Sequence, residues 1–307
     1  MSNDQYSGQD PQQRYCQPDS EGEQVDHPGL TGEMGEQPDH GEESYRGSGR
    51  LQGKKAVVTG GDSGIGRAVA LAFAREGADV LIAYLEAEEK DAQETVRLVE
   101  DAGRRAVTVP ADLTEEEQCQ RVVDRAVQEF GGIDVLVNNA AYQMAQPSGI
   151  EDITTEQFDR VLKTNLYAMF WLCKKALPHM RAGGSVINTS SIQASQPSPE
   201  LLDYATTKAG IVNFTKGLSQ MLAGKGIRVN SVAPGPIWTP LIPATMPEDN
   251  VGWWFQVVMA TRGTRLDLGP SRAPSSGLIR GRTGPARSAS ERTGRPPQVK
   301  PGVATTG

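Results

Sequence analysis

The chain has 307 residues, 37% of them hydrophobic, and a formal net charge of −7. That length suits one large domain, and an acidic balance with no basic stripe through the centre argues against nucleic-acid binding. Three cysteines and three histidines lie too far apart for a metal site, the polar start has no signal-peptide pattern, and no apolar run nears the ~20 residues that span a bilayer. A cytoplasmic protein with no metal, membrane or nucleic-acid partner is expected.

Residues 1–50 are rich in Gln, Glu, Asp, Gly and Pro and hold almost no aliphatics. Such a stretch buries too little surface to offset its ordering entropy, so an extended polar arm, largely disordered, is predicted. The pattern then changes. Residues 55–60 (KAVVTG) read as a buried strand ending at glycine, and 64–76 carry apolar residues at helical spacing. Further strands are predicted over 80–84, 106–110, 134–138, 185–189 and 228–232. Between them, helices are predicted over 86–102, from a capping box at Thr114 to about Phe130, from a second box at Thr154 to about Met180, and over 203–223. Short, continuously apolar strands alternating with amphipathic helices imply a parallel sheet covered on both faces. The fold class expected is α/β, one doubly wound Rossmann domain over 51–250, with its ligand at the carboxyl ends of the strands.

The first predicted strand runs into TGGDSGIG over 59–66. Gly60, Gly64 and Gly66 let the backbone turn tightly and approach a pyrophosphate, and the helix that follows aims its amides at that phosphate. Further on, Tyr204 and Lys208 stand one helical turn apart, on one face. A tyrosine hydroxyl titrates near 10, and a neighbouring ammonium favours its ionised form, so the pair suits acid/base work on an alcohol or carbonyl. Ser191 lies just past the fifth strand, where its hydroxyl can hold a substrate oxygen. Asn165 is a polar residue in an apolar helical stretch and needs partners; a water feeding protons to Lys208 is one option and a satisfied core amide the other.

TGGDSGIG, Asn138-Asn139-Ala140, Asn165, Ser191, Tyr204/Lys208 and Pro234-Gly235 occur in this order. Together they resemble the short-chain dehydrogenase/reductase family, in particular its long-armed general-stress and glucose/ribitol-dehydrogenase-like subgroup, over about residues 45 to 250. The resemblance implies a hydride transfer between a nicotinamide cofactor and an alcohol/carbonyl pair. Tyr204 is then the acid/base, Lys208 the ribose and pKa-tuning residue, Ser191 the substrate-oxygen donor and Asn165 the water-relay residue. Gly60, Asp62, Ser63, Gly64, Ile65 and Gly66 form the phosphate loop. Asp112 contacts adenine, Tyr84, Leu113, Ala140, Pro234 and Gly235 are further cofactor-binding positions, Asn138 braces the sheet beside the cofactor, and Ile237 and Thr239 hold the carboxamide. Ala141 and Ser195 depart from the family's usual glycine and tyrosine.

The second strand ends at Tyr84, with neither an acidic residue to accept ribose hydroxyls nor a following base for a 2′-phosphate. NADP(H) is favoured, with NAD(H) possible. Pocket candidates Tyr142, Gln143, Met144, Ile192, Gln193 and Trp238 are apolar or amide, so a small uncharged aldehyde, ketone, sugar or polyol is expected. Past residue 250 the family's last helix and seventh strand are not recognisable. Residues 251–307 read as an aberrant, mostly disordered Arg/Gly/Pro-rich tail of the kind that out-of-frame coding DNA gives. A sheet lacking its final strand, an impaired form of the family's homotetramer, and, as the alternative function, a catalytically impaired nucleotide-binding remnant follow from that reading.

Overall fold

In a computed structural model, which describes residues 23–247, the apolar runs form one parallel sheet. Its strands are β1 Lys55–Thr59, β2 Asp79–Tyr84, β3 Ala106–Pro110, β4 Ile133–Asn138, β5 Met180–Thr189 and β6 Arg228–Val232. Across the sheet they run β3-β2-β1-β4-β5-β6, every pairing parallel. Strand order reverses between β1 and β4, which opens a crevice at their carboxyl ends. Among the described residues β6 pairs with β5 alone. The expectations for residues 1–22, for the 251–307 tail and for a missing last strand fall outside the described residues.

Helices α1 Gly64–Arg75, α2 Glu89–Asp101, α3 Glu116–Phe130, α4 Thr155–Leu162, α5 Ala168–Ala176 and α6 Leu202–Leu222 cover the sheet, and a short α7, Leu241–Thr245, follows β6. Strand alternation divides the core. Val57, Leu81 and Leu136 face one way, into a cluster with residues of α3, α5 and α6. Ala56, Val58, Val80 and Ile82 face the other, against α1 and α2. Because both faces are covered, the inner strands β1, β2 and β4 read as nearly continuous apolar runs, while β3 and β6, at the ends of the described sheet, alternate.

Some boundaries differ from the sequence reading. The capping box at Thr114 does not form: Thr114 gives its backbone N–H and hydroxyl to Asp112 Oδ1 (2.9 and 2.8 Å), a local turn that competes with the cap. Thr154 does cap α4, accepting from Gln157 N at 3.1 Å, but the Gln157 amide turns to Asp203 instead of closing a box. The helix predicted from 154 to 180 is broken by a π turn, Lys163–Tyr167, between α4 and α5. Pro178 ends it in a short 3₁₀ turn, and β5 begins at once, at Met180.

The arm also differs. Residues 23–50 are extended but packed. Thr31 donates its backbone N–H and its hydroxyl to Asp91 Oδ2 on α2 (2.8 and 2.9 Å). Tyr45 Oη donates to Glu76 Oε1 at 2.6 Å, and Arg75 Nη1 donates to the carbonyls of Gly41 and Tyr45 (2.8 and 2.5 Å). Composition undercounts such a segment, because a few buried, charge-assisted bonds and Met34 fix it in place of a broad apolar face. Asp91 is also paired with the buried Arg67 (3.1 Å), whose guanidinium bonds the Asp62 and Asp91 carbonyls. Cys119 and Cys173 are free and buried, and burial pushes both thiols up to about 12.

Removing Asp91 strands a buried guanidinium and unties Thr31. Asp91→Ala is expected to lower unfolding stability by about 3 kcal/mol or more, read from urea melts; a loss no larger than that of an exposed-residue control would contradict the anchoring role.

Candidate active site

A cavity of about 540 Å³ lies where the carboxyl ends of the strands meet, with lining from Gly60 after β1, Tyr84 of β2, Ala111 after β3, Asn139 after β4, Ser191 after β5 and Pro234 after β6. Such a size is ordinary for a ligand pocket.

The glycine turn forms its floor. Gly60 and Gly64 take positive φ (58° and 48°), which side chains disfavour. A β-carbon on Gly66 would sit 1.7 Å from the Gly60 carbonyl oxygen, so α1 can cross the end of β1 this closely only with glycine there. Asn139 holds the turn from the β4 side, its Nδ2 donating to the Thr59 and Gly60 carbonyls (3.2 and 3.1 Å). Ser63 precedes α1 without a side-chain cap, leaving the amides at the helix start for a ligand. Ser63, Ile65, Asp112, Leu113, Ala140, Gly235, Ile237 and Thr239 also line the cavity. Asp112 is held by its turn to Thr114. Gly66 acts through packing.

Buried acids stand at the far end of this floor. Asp62 is 1% exposed, and neither of its oxygens makes a well-formed hydrogen bond. Burial pushes its carboxyl up to about 6, with Ser63 offsetting part of the shift. Glu88 lines the same space, bonded to Leu85 N at 3.0 Å; burial and then the charge of Asp62 push it up to about 8. The Tyr84 hydroxyl donates to Glu89, and burial pushes the phenol up to about 12. Glu88 escaped the sequence reading because it falls within what reads as a charged helix face.

Tyr204 and Lys208 project from α6 into the cavity, 8% and 2% exposed. Burial pushes the Tyr204 phenol up to about 12, and a hydrogen bond with Ser191 offsets part of that. Lys208 Nζ lies 5.1 Å from the Tyr204 ring centre and donates to the Thr189 carbonyl at 3.0 Å. Its ammonium, desolvated without a carboxylate partner, is brought down to about 7. Tyr204, Lys208 and Ser191 therefore converge as the spacing implied, but burial outweighs the effect expected of the lysine, and the phenol stays protonated.

Asn165 is placed differently. It lies in the π turn and does not line the main cavity. Its Oδ1 accepts from Tyr142 N (2.8 Å), while Nδ2 donates to Tyr142 O and Thr207 Oγ1 (2.9 and 3.0 Å). The side chain is thus tied to protein partners at both its oxygen and its nitrogen. Asn138 does brace the sheet, through Asn188 at 2.8 Å, and lies outside the main cavity.

On the substrate side, Gln143 and Gln193 line the cavity with their amides engaged, to Thr245 at 2.9 Å and to Ser198 at 2.8 and 2.6 Å. Trp238 and Met144 do not line it. Trp238 turns away, packs in a cluster with Met34 and donates to the Glu36 carbonyl at 2.8 Å. Sequence reasoning missed Arg160, which lies 4.1 Å over the Tyr142 ring at the cavity mouth, and His27 and Pro28 of the arm. On α4 the arginine has the spacing of an ordinary solvated face.

A profile of the short chain dehydrogenase family matches residues 54–250. The chain belongs to that family. General stress protein 39 of Bacillus subtilis is 49% identical over 75% of this chain and 79% of its own. Glucose and ribitol dehydrogenase of Daucus carota is 48% identical over 74% and 80%, and NADPH-dependent aldehyde reductase 1 of Arabidopsis thaliana 47% over 80% and 86%. A short chain dehydrogenase from Burkholderia cenocepacia, solved with NADP, aligns with a TM-score of 0.61 at 35% identity, covering 68% of this chain and 91% of that one. The chain is an oxidoreductase of the general-stress and glucose/ribitol-dehydrogenase-like subgroup.

If Asn165 is a clamp, its loss unpairs two buried backbone groups. Asn165→Ala is expected to cost about 2 kcal/mol or more in thermal unfolding, an amount that a water-relay role alone would not produce.

Proposed function

We propose that the protein is a reductase of small uncharged aldehydes or ketones, or the matching alcohol or polyol dehydrogenase, using NADP(H) in preference to NAD(H). One observation carries this reading: the Ser191 and Tyr204 hydroxyls meet in a buried cavity, with Lys208 one turn on and the glycine cradle beside them. The cradle fits a dinucleotide, since positions 60, 64 and 66 have no room for a β-carbon or take positive φ, and the start of α1 is uncapped. The residues to hold it are those of the turn 60–66, Tyr84, Asp112, Leu113, Ala140, Lys208 and the 234–239 segment. The nicotinamide supplies or accepts the hydride.

Ser191 and Tyr204 hold the substrate oxygen. Tyr204 gives that oxygen its proton in reduction and takes it back in oxidation. With its phenol pushed up to about 12 by burial, Tyr204 carries at neutral pH the proton that reduction consumes. Lys208, near 7, shares a charge with the site only as pH falls to that range; a bound pyrophosphate would hold it charged. Asn165 positions the Tyr142 segment that walls the pocket. The aldehyde-reductase and polyol-dehydrogenase names of two relatives support the substrate class, and the NADP in the Burkholderia structure supports the cofactor. The exposed Tyr167 and Phe170 offer an apolar face to a second copy, in keeping with a homo-oligomer.

Tyr204→Phe removes the hydroxyl, and with it the transferable proton and the bond to Ser191, while keeping the ring. It is expected to cut kcat by about a hundredfold or more in a screen of aldehydes and ketones with both cofactors, with the cofactor Kd nearly unchanged; retained turnover would refute the role.

Cofactor preference should depend on pH. Glu88 is neutral below about 8 and ionised above it; a negative carboxylate beside Asp62 repels a 2′-phosphate more than a ribose hydroxyl. The Kd ratio of NADP⁺ to NAD⁺ is expected to rise by about tenfold between pH 7 and 9, and Glu88→Gln should flatten that rise. A rise of equal size in Glu88→Gln would assign it to another group.

A further inference from the structure

The arm crosses the mouth of the cavity. At one end it is tied to α1 and α2 through Thr31–Asp91, Tyr45–Glu76 and Arg75. At the other it runs along the segment after β6: Val25 N donates to Pro243 O (3.3 Å), Gln24 Nε2 to Met246 O (3.2 Å), and Trp238 Nε1 to Glu36 O (2.8 Å). Gly29 makes this close approach possible. Its φ is 90°, and a β-carbon there would lie 2.7 Å from the Pro240 carbonyl oxygen. Between the two anchors His27 and Pro28 line the cavity, with the His27 ring edge-on to Tyr142 at 5.3 Å. Met34, 4% exposed, shares one apolar cluster with Tyr204, Leu201, Trp238 and Met246.

We propose that residues 25–36 form the outer wall of the substrate pocket, and that His27 and Pro28, backed from behind by Met34, set the size of carbonyl compound that reaches Tyr204. The physical reason is steric and apolar. Half-burial holds the His27 imidazole below its ordinary pKa, and Arg160 adds to that, so at neutral pH the wall presents an uncharged ring. Lifting the wall opens the pocket sideways without disturbing the glycine cradle. The substrate side of this inference rests on the reductase reading above.

Two full-length variants test it: Gly29→Val, which forces the strap off the Pro240 carbonyl, and His27→Ala, which thins the wall with little strain. Each is made in the native chain and in an Ile192→Cys background, where the new thiol sits in the cavity lining. Melting temperatures establish that each variant is folded. A bulky pyrene maleimide should label the Ile192→Cys thiol at least about tenfold faster once the wall is lifted, while the small N-ethylmaleimide changes little. In the native background kcat/KM for 2-naphthaldehyde relative to propanal should rise by about the same factor, with the NADP⁺ Kd unchanged. Unaltered pyrene labelling in both variants overturns the wall, whatever the enzyme reduces. Faster labelling with no aldehyde turnover in any protein leaves the wall standing and removes the reductase reading.

Discussion

The contact between Gly66 and the Gly60 carbonyl sets the position of everything around it. With no room there for a single carbon, the first turn of α1 lies directly against the end of β1. That depth brings the uncapped amides of the helix into the crevice where strand order reverses. The same turn is gripped from β4 by Asn139, and Thr59 Oγ1 accepts from the backbone of Asn139 and Ala140 at 3.0 and 3.1 Å. The two halves of the sheet are therefore locked in register at the point where a ligand must span both.

Burial does the chemical tuning. Tyr204 and Lys208 are withdrawn from water together, and desolvation moves them in opposite directions, the acid up and the base down. Both end closer to their neutral forms, which lowers the cost of burying them and keeps a mobile proton on the tyrosine. At the glycine-turn end the same effect acts on Asp62 and Glu88. There, the acids are crowded by one another, and Arg67 is already committed to Asp91 and to backbone carbonyls.

The inner strands were legible because covering both sheet faces makes their apolar runs continuous, whereas β6 alternates; the glycine turn and the Tyr204/Lys208 pair were legible from their spacing, and Ser191 from its place after β5. What the sequence hid depends on single side chains. Nothing in the KTNLY run distinguishes a π turn from α-helix, so a satisfied amide at Asn165 was legible as an option but its partners, Tyr142 and Thr207, were not. Trp238 reads as a pocket aromatic, yet its N–H finds a carbonyl of the arm. The arm itself has no periodicity; isolated residues such as Thr31, Met34 and Tyr45 hold it, each against a partner 31 or more positions away or in a loop far down the chain. Thr114 carried a correct helix signal and was outcompeted locally by Asp112.

The two cysteines of the described domain carry a consequence for survival under oxidants. A thiol reacts with peroxide as its thiolate, and with pKa values near 12 only about one in a hundred thousand is ionised at neutral pH. Both sulfurs are also walled off, Cys119 under the carbonyl of Leu113 and Cys173 against the amide of Asn138. Peroxide therefore finds no sulfenic-acid chemistry in the core. Within the described residues, the side chains most open to oxidation are thioethers, above all the exposed Met221 on the outer face of α6. Damage there would fall on the surface of the helix that carries Tyr204 and leave its buried face intact.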